Sequence, residues 1–238
     1  MRALAGELLL TAWEEGAAQP ELRRPLGLLS VALPREGDQL ESLPLAERNR
    51  LLLNLHQLSF GPRLDIVGAC AACDAQFEFS VTVSELTALS EGRDAGETVS
   101  WSEGGRAFRL RSATTADLLA TLELADTGAA EELVLSRCLL AAPEDVASQP
   151  TASATVIEKF GELHAATELT CEISCPACSS EETVDLDITR FLWTEVRRGA
   201  TRLLREIHTL AAAYGWSERS ILAMDARRRG AYLELLGQ

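Results

Sequence analysis

Two pairs of cysteines, each with two residues between its members, constrain this sequence most. Cys70 and Cys73 form the first pair, and Cys175 and Cys178 form the second. Each pair follows an apolar run and precedes an alternating run that is typical of a β-strand. When Cys73 is aligned with Cys178, apolar residues of the two following runs coincide: Phe79 with Val184, Val81 with Leu186, and Val83 with Ile188. The sequence therefore contains one strand–turn–strand half-motif used twice.

A C-x-x-C turn between two strands presents both sulfurs on one side of a tight knuckle. Two such knuckles that face each other supply the four thiolates of a tetrahedral zinc site. We therefore predict that Cys70, Cys73, Cys175 and Cys178 hold one structural zinc ion, whose binding energy contributes to folding. Zinc ribbons usually have about 15–20 residues between their pairs, whereas residues 74–174, 101 in all, lie between these. Two alternatives stay open: one pair has a disulfide or redox role, or the knuckles persist as turns without metal.

Signals of catalysis are scarce in this sequence. A redox C-x-x-C motif requires a thiolate near a helix N-terminus, but a strand-like run follows each pair, which argues against a thiol-disulfide oxidoreductase. The three histidines (His56, His164 and His208) lie outside any H-E-x-x-H pattern, and no P-loop, G-x-G-x-x-G or G-x-S-x-G motif is present. Cys138 is expected in the core, and Cys171 is a weaker candidate for a substitute ligand. We predict a protein that is not an enzyme.

Composition places the chain among globular proteins, with 47% hydrophobic and 24% charged residues in 238. No apolar stretch has the length of a membrane span, and the N-terminus lacks the pattern of a secretory signal peptide. We therefore expect a cytoplasmic protein without a membrane partner. In a reducing cytoplasm, paired C-x-x-C motifs favour metal over disulfides.

The net charge of −14 argues against a nucleic-acid partner, because phosphate binding requires a basic face that releases counterions. Arginines nevertheless cluster late in the chain, at residues 197, 198, 202 and 205 and again at 227–229. These clusters are either solvated helix faces or a docking surface for an acidic protein partner.

The pattern along the chain predicts an α+β fold, with helical N- and C-terminal regions around a small antiparallel β region built on the two knuckles. Helices are predicted at 45–59, 129–140, 152–164, 191–213 and 226–236, with a short helix or turn at 84–90 and a hairpin of strands 98–102 and 106–111. The predicted regions are 1–63 (helical), 64–112 (first knuckle and hairpin), 113–164 (helical insert with a linker at 141–151), 165–190 (second knuckle) and 191–238 (helical). We expect them to form one compact unit.

Several strings of residues carry a resemblance to a known family. They are Leu43-Pro44-Leu45-Ala46-Glu47-Arg48, Phe60-Gly61-Pro62-Arg63-Leu64, the two C-x-x-C pairs, Phe191-Leu192-Trp193-x-Glu195, Tyr214-Gly215-Trp216-Ser217-Glu218, Ile221-Leu222-x-Met224 and Arg227-Arg228-Arg229-x-x-Tyr232-Leu233. With these strings the chain resembles the baseplate protein family of contractile phages that includes the hub assembly chaperone of T-even phages. Relatives are encoded in gene clusters of phage-tail-like contractile injection systems. The strings run through almost the whole chain.

The resemblance implies a non-enzymatic protein that helps to build or complete an injection-machine baseplate. Its partners would be baseplate hub or wedge proteins, with no small-molecule substrate, and it would act in the cytoplasm during assembly or as part of a phage-tail-like particle. Zinc is inferred from the cysteines of this sequence and not from the family. The alternative functions are a zinc-ribbon adaptor unrelated to injection machines and a C-x-x-C thiol-disulfide oxidoreductase.

The segment 214–236 is the predicted partner-facing region, because it combines aromatic residues with arginines, which are enriched at binding hot spots. The candidate partner-binding residues are Trp216, Arg227, Arg228, Arg229 and Tyr232. The alternative is that Trp216 and Tyr232 pack the helices of this chain against one another.

Overall fold

The computed structural model describes residues 1–34, 37–92, 97–147 and 150–237. It confirms an α+β fold with helices at both ends and small antiparallel sheets between them. The α-helices are α1 (Glu7–Ala17), α2 (Arg24–Ala32), α3 (Leu45–Phe60), α4 (Val83–Glu91), α5 (Thr115–Leu119), α6 (Thr127–Cys138), α7 (Glu144–Ala147), α8 (Ala154–His164), α9 (Ile188–Tyr214), α10 (Glu218–Leu222) and α11 (Ala226–Leu236). The β-strands are β1 (Arg63–Ala69), β2 (Gln76–Thr82), β3 (Thr98–Glu103), β4 (Arg106–Arg111), β5 (Leu139–Ala141), β6 (Thr170–Ser174) and β7 (Glu181–Asp185).

Helix α9 is the centre of the main hydrophobic core. It has 27 residues, and one face of it buries Leu192, Val196, Ala200 and Leu203 against the N-terminal helices and α10. This face repeats every three to four residues, as in an amphipathic helix. Helix α1 approaches α9 closely at Gly16, where a Cβ atom would lie 2.5 Å from the indole ring of Trp193. The sequence thus places its smallest residue where the two helices meet.

Helix α3 begins and ends close to the predicted residues 45 and 59, next to Pro44 and Gly61. Pro44 occupies the N-cap position, and Gly61, with a φ of 104°, follows the last residue. A positive φ in this region is readily adopted by glycine because it lacks a Cβ atom. Strand β1 starts two residues later, at Arg63.

The residues between β2 and β6 form an insert with its own small hydrophobic core. The insert, residues 83–167, buries Phe108, Leu110, Leu135, Val156 and Leu163 between a three-stranded sheet and helices α6 and α8. Its two ends meet, since Ser90 Oγ near the first end donates a hydrogen bond to the Ala166 carbonyl near the second, at 2.8 Å. The insert therefore accounts for 85 of the 101 residues between the cysteine pairs.

The end of the predicted helix 129–140 was wrong, because α6 ends at Cys138 and the chain continues as strand β5. Leu139 pairs with Leu110 of β4, and Ala141 pairs with Arg109 through an irregular register. This segment forms hydrogen bonds with the edge of β4, and these bonds outweigh the helix propensity of Leu139 and Leu140. The predicted linker 141–151 contains α7, and its residues 148 and 149 lie outside the described residues.

In the described parts of the chain, no helix combines the length and the apolar character needed to cross a membrane.

Candidate metal centre

The two hairpins that carry the cysteines have the same register. In the first hairpin (β1–β2), Ala69 pairs with Gln76 and Ile66 pairs with Phe79. In the second hairpin (β6–β7), the residues 105 positions later pair in the same way, Ser174 with Glu181 and Cys171 with Val184. The duplication predicted from the sequence therefore extends to the backbone pairing on both sides of the cysteines.

The turn between the strands is also the same in both hairpins. The Cys70 N–H donates to the Ala75 carbonyl at 3.0 Å, and the Cys175 N–H donates to the Ser180 carbonyl at 2.8 Å. The fifth residue of each turn has left-handed backbone geometry, with a φ of 57° at Asp74 and 60° at Ser179. Asp and Ser tolerate this geometry less readily than glycine, so each turn holds a specific, slightly strained shape.

These turns bring the four predicted ligands together. The sulfur atoms of Cys70, Cys73, Cys175 and Cys178 all lie within 4.8 Å of one another. Cys70 Sγ lies 3.6 Å from Cys178 Sγ, and Cys73 Sγ lies 3.8 Å from Cys175 Sγ. For a tetrahedral zinc ion with bonds of about 2.3 Å, each sulfur–sulfur edge would be about 3.8 Å. The four cysteines are therefore close enough together to bind one metal ion.

Backbone N–H groups and one carboxylate set the protonation of the thiols. Hydrogen bonds from the backbone of Cys178 and Ala177 lower the pKa of Cys175 to about 7. A hydrogen bond to the Glu182 carboxylate raises the pKa of Cys70 to about 11, and Cys70 Sγ lies 3.1 Å from Glu182 Oε1. Metal binding requires thiolates, so Cys70 would transfer to solvent the proton that it shares with Glu182.

Glu182 is a neighbour of the site that the sequence did not predict. Its equivalent in the first hairpin is Phe77, which is buried beside Cys70 and Cys175. The two hairpins thus differ at the position that faces the sulfurs, which is aromatic in the first and acidic in the second. A comparison of Phe77 with Glu182 in the aligned half-motifs would have shown this difference.

The hairpin tips have few contacts to stabilise them besides the cysteines. The fully buried residues at the tips are Cys70, Phe77 and Cys175, while Cys73 and Cys178 are exposed. The hairpins belong to separate two-stranded sheets, and a two-stranded hairpin alone is marginally stable in water. A metal ion would therefore add a cross-link where the hydrophobic core is smallest.

The other cysteines and two of the histidines have places in the core. Cys138 is buried in the core of the insert, as predicted, and burial raises its pKa to about 12. Cys171 packs against the main core and does not belong to the four-sulfur cluster. His164 accepts a hydrogen bond from the Ala113 N–H at 2.7 Å, and His56 lies between the rings of Phe60 and Phe191.

Of the predicted partner-binding residues, four are exposed or half-exposed and Arg229 is buried. Trp216 and Tyr232 form an aromatic cluster with Tyr214, with ring centroids 4.5–5.7 Å apart. Both also contact the main core, as the packing alternative required, and both remain half-exposed. Arg227 and Arg228 are exposed, and the Arg228 guanidinium lies 5.8 Å from the centre of the Tyr232 ring.

The prediction that Arg229 belongs to this surface was wrong. Its side chain is buried, and Arg229 Nε donates to Glu206 Oε2 of α9 at 3.0 Å, while Nη1 donates to the Met224 carbonyl at 2.7 Å. In an α-helix, residue 229 points to a different side from residues 227 and 228, because successive residues are rotated by about 100°. Arg229 therefore fastens α11 to α9.

Comparison with known proteins gives no match among family models, curated proteins or solved structures.

Proposed function

We propose that the four cysteines bind one structural zinc ion. The observation that supports this is the duplicated hairpin, which brings four sulfurs within 4.8 Å of one another, with two of the sulfur–sulfur distances, 3.6 and 3.8 Å, close to the edge of a zinc tetrahedron. The absence of a histidine or carboxylate from the four ligand positions favours a closed site without a vacant coordination position, which is typical of structural zinc. The ion would hold the tips of the two hairpins together and so fix the insert relative to the helical ends of the chain.

We further propose that the protein is a non-enzymatic baseplate assembly or structural component of a contractile injection system or phage tail, and that it acts through its surfaces. The resemblance strings support this proposal, because many of them coincide with features that define the architecture. Pro44 occupies the N-cap position of α3, and Gly61 follows its last residue. Gly215 ends α9 in the left-handed conformation, and the Ser217 side chain caps α10.

The C-terminal surface is the proposed contact with a hub or wedge protein. It comprises the aromatic residues Tyr214, Trp216 and Tyr232 and the exposed arginines Arg227 and Arg228. Aromatic residues can supply buried area, while the arginines would favour an acidic partner and speed its encounter. The segment 214–236 holds four arginines and three acids, in a chain whose net charge is −14.

Co-purification tests this proposal directly. The tagged chain is expressed together with the sheath, tube, hub and wedge genes of its cluster, and the captured proteins are identified. We expect the double variant Arg227→Glu and Arg228→Glu to recover at least about tenfold less of one baseplate protein, since like-charge contacts at an interface cost several kcal/mol.

The matched control is Arg197→Glu with Arg205→Glu, two exposed arginines of α9, which changes the net charge equally. Recovery of a hub or wedge protein by the control and not by the double variant would support the proposed surface. If no baseplate protein is recovered with the unaltered chain, the baseplate proposal fails and the zinc-ribbon adaptor becomes the better hypothesis.

A further inference from the structure

Arg48 is a buried arginine without a carboxylate in direct contact with its guanidinium. Its residue surface is 9% exposed, and it lies near the start of α3. Nε and Nη2 donate to Asn49 Oδ1 at 3.2 and 2.9 Å, and Nη1 donates to Thr115 Oγ1 at 3.3 Å. All of these acceptors are neutral, and within the described ranges no carboxylate oxygen lies within 4.0 Å of the guanidinium.

This arrangement is unfavourable for the folded chain alone. A buried charge costs free energy unless an opposite charge and a full set of hydrogen bonds compensate it. Burial lowers the pKa of Arg48 to about 10, against the opposing effect of Asp187. By contrast, Arg229, which is also buried, has a carboxylate partner in Glu206.

The guanidinium lines a cavity of about 600 Å³. The cavity lies where α3, the insert, the second hairpin and the start of α9 meet. Its walls combine apolar and polar side chains in similar numbers, and the apolar ones include Leu22, Pro25, Leu118, Leu169 and Leu186. Three acids, Glu168, Asp185 and Asp187, also border it.

Arg48 has hydrogen-bonding capacity left for a ligand in this cavity. A guanidinium carries five N–H donors, and three are used by Asn49 and Thr115. The remaining two are one on Nη1 and one on Nη2. Such a pair matches the two oxygens of a planar carboxylate.

We propose that Arg48 binds a carboxylate group whose neighbouring atoms are apolar and fill the cavity. A carboxylate would place a single negative charge in direct contact with the guanidinium, and the leucines of the wall would cover the adjoining aliphatic part. A phosphate dianion fits less well, because the three bordering acids repel a doubly charged group more strongly than a singly charged one. The carboxylate could be carried by a free aliphatic acid or by a glutamate of another protein, and the chemistry of recognition is the same.

Thermal unfolding of the full chain with hexanoate tests the proposal, with hexanol, chloride and inorganic phosphate as reference solutes at equal ionic strength. Hexanol has the same tail without the carboxylate. At about ten times the dissociation constant, we expect hexanoate to raise Tm by about 3 °C. An acetylated and amidated Leu-Glu-Leu peptide, with Leu-Gln-Leu as its control, presents the same group on a protein-like backbone.

Three variants assign the effect to Arg48. Arg48→Met is expected to abolish the rise in Tm, whereas Arg50→Met, at an exposed arginine of the same helix that pairs with Glu47, is expected to keep it. Arg48→Lys retains the charge but lacks the pair of N–H donors that binds a carboxylate bidentately. We expect this variant to bind hexanoate at least about tenfold more weakly. If Arg48→Met does not fold, Arg48→Lys still tests whether binding depends on the guanidinium.

A larger rise with hexanoate than with the peptide indicates a free acid as the natural ligand, and the reverse indicates a protein glutamate; either result supports the site. The proposal is overturned if hexanol or phosphate equals hexanoate, if Arg48→Met and Arg48→Lys both respond like the unaltered chain, or if neither hexanoate nor the peptide shifts Tm at about 10 mM.

Discussion

Cys70 Sγ lies 3.6 Å from Cys178 Sγ, although the two residues are 108 positions apart in the chain. The short sulfur–sulfur contacts join one hairpin to the other, Cys70 to Cys178 and Cys73 to Cys175. The cysteines therefore act as a connection between two hairpins that belong to separate sheets. This connection is the basis of the first two predictions.

We expect the purified chain to hold about one zinc ion, bound by four sulfurs at about 2.3 Å. Elemental analysis gives the metal per chain, and X-ray absorption at the zinc edge gives the ligand type and distance. Tetrahedral four-sulfur sites also suit iron, so iron must be measured in the same sample. Two zinc ions per chain, or oxygen ligands in place of sulfur, would contradict a single shared site.

We expect Cys175→Ser to lose the metal and to destabilise the two hairpins by several kcal/mol, because metal binding is coupled to their folding. Hydrogen exchange should show lost protection in residues 63–82 and 170–185, whereas α9, which is packed in the main core, should keep its protection. The matched control is Cys171→Ser, which replaces a cysteine of the same hairpin outside the cluster. Equal protection in both variants would mean that the metal does not support the hairpins.

The sequence predicted the cysteine site well because its information is local and repeated. Each C-x-x-C turn is specified by a few residues between two strands, and the register of one hairpin reproduces that of the other. Most helices were predicted within a few residues for the same reason, since caps such as Pro44 and Ser217 are read from neighbouring residues.

Features that depend on distant partners could not be predicted in this way. Strand β5 exists because the edge of β4 is available to Leu139, and the burial of Arg229 depends on Glu206 of another helix. The isolation of Arg48 is likewise a property of the cavity around it and not of the string Leu43–Arg48. Tertiary packing decides whether an arginine is exposed, paired with an acid, or buried without one. The pattern of charges along the sequence says little about this packing.

We expect Arg229→Met to lower the free energy of unfolding by about 2–3 kcal/mol, because it leaves the partly buried Glu206 without its partner. Arg227→Met, two residues earlier on the exposed side of α11, should change it by less than about 0.5 kcal/mol. Urea unfolding monitored by circular dichroism measures both. Equal small effects would show that the contact between α11 and α9 does not depend on this ion pair.

Asp117 is the acceptor of five hydrogen bonds in the insert, from Arg111, Arg137 and Thr114. Burial would raise the pKa of Asp117, but these hydrogen bonds, those of Arg111 first, outweigh burial and hold it well below its usual range. We expect Asp117→Asn to cost about 3 kcal/mol at pH 7. The control Asp126→Asn, at the exposed N-cap of α6, should be nearly neutral. A similar loss in both variants in urea unfolding would contradict a central role for Asp117.

His164 should make the stability of the chain depend on pH. Burial lowers its pKa, and its Nε2 accepts the Ala113 N–H, so the folded chain favours the neutral ring. This stabilisation is complete above the unfolded pKa of about 6.5 and is lost as pH falls towards the lowered folded pKa. Between pH 7 and 5.5, the free energy of unfolding of the unaltered chain should fall about 1 kcal/mol more than that of His164→Gln.

Comparison of the two chains at each pH removes the contribution of the cysteines, which both chains share. The variant His208→Gln, at an exposed histidine of α9, controls for the substitution itself. Parallel pH profiles for the unaltered chain and His164→Gln would show that the ring is not held neutral.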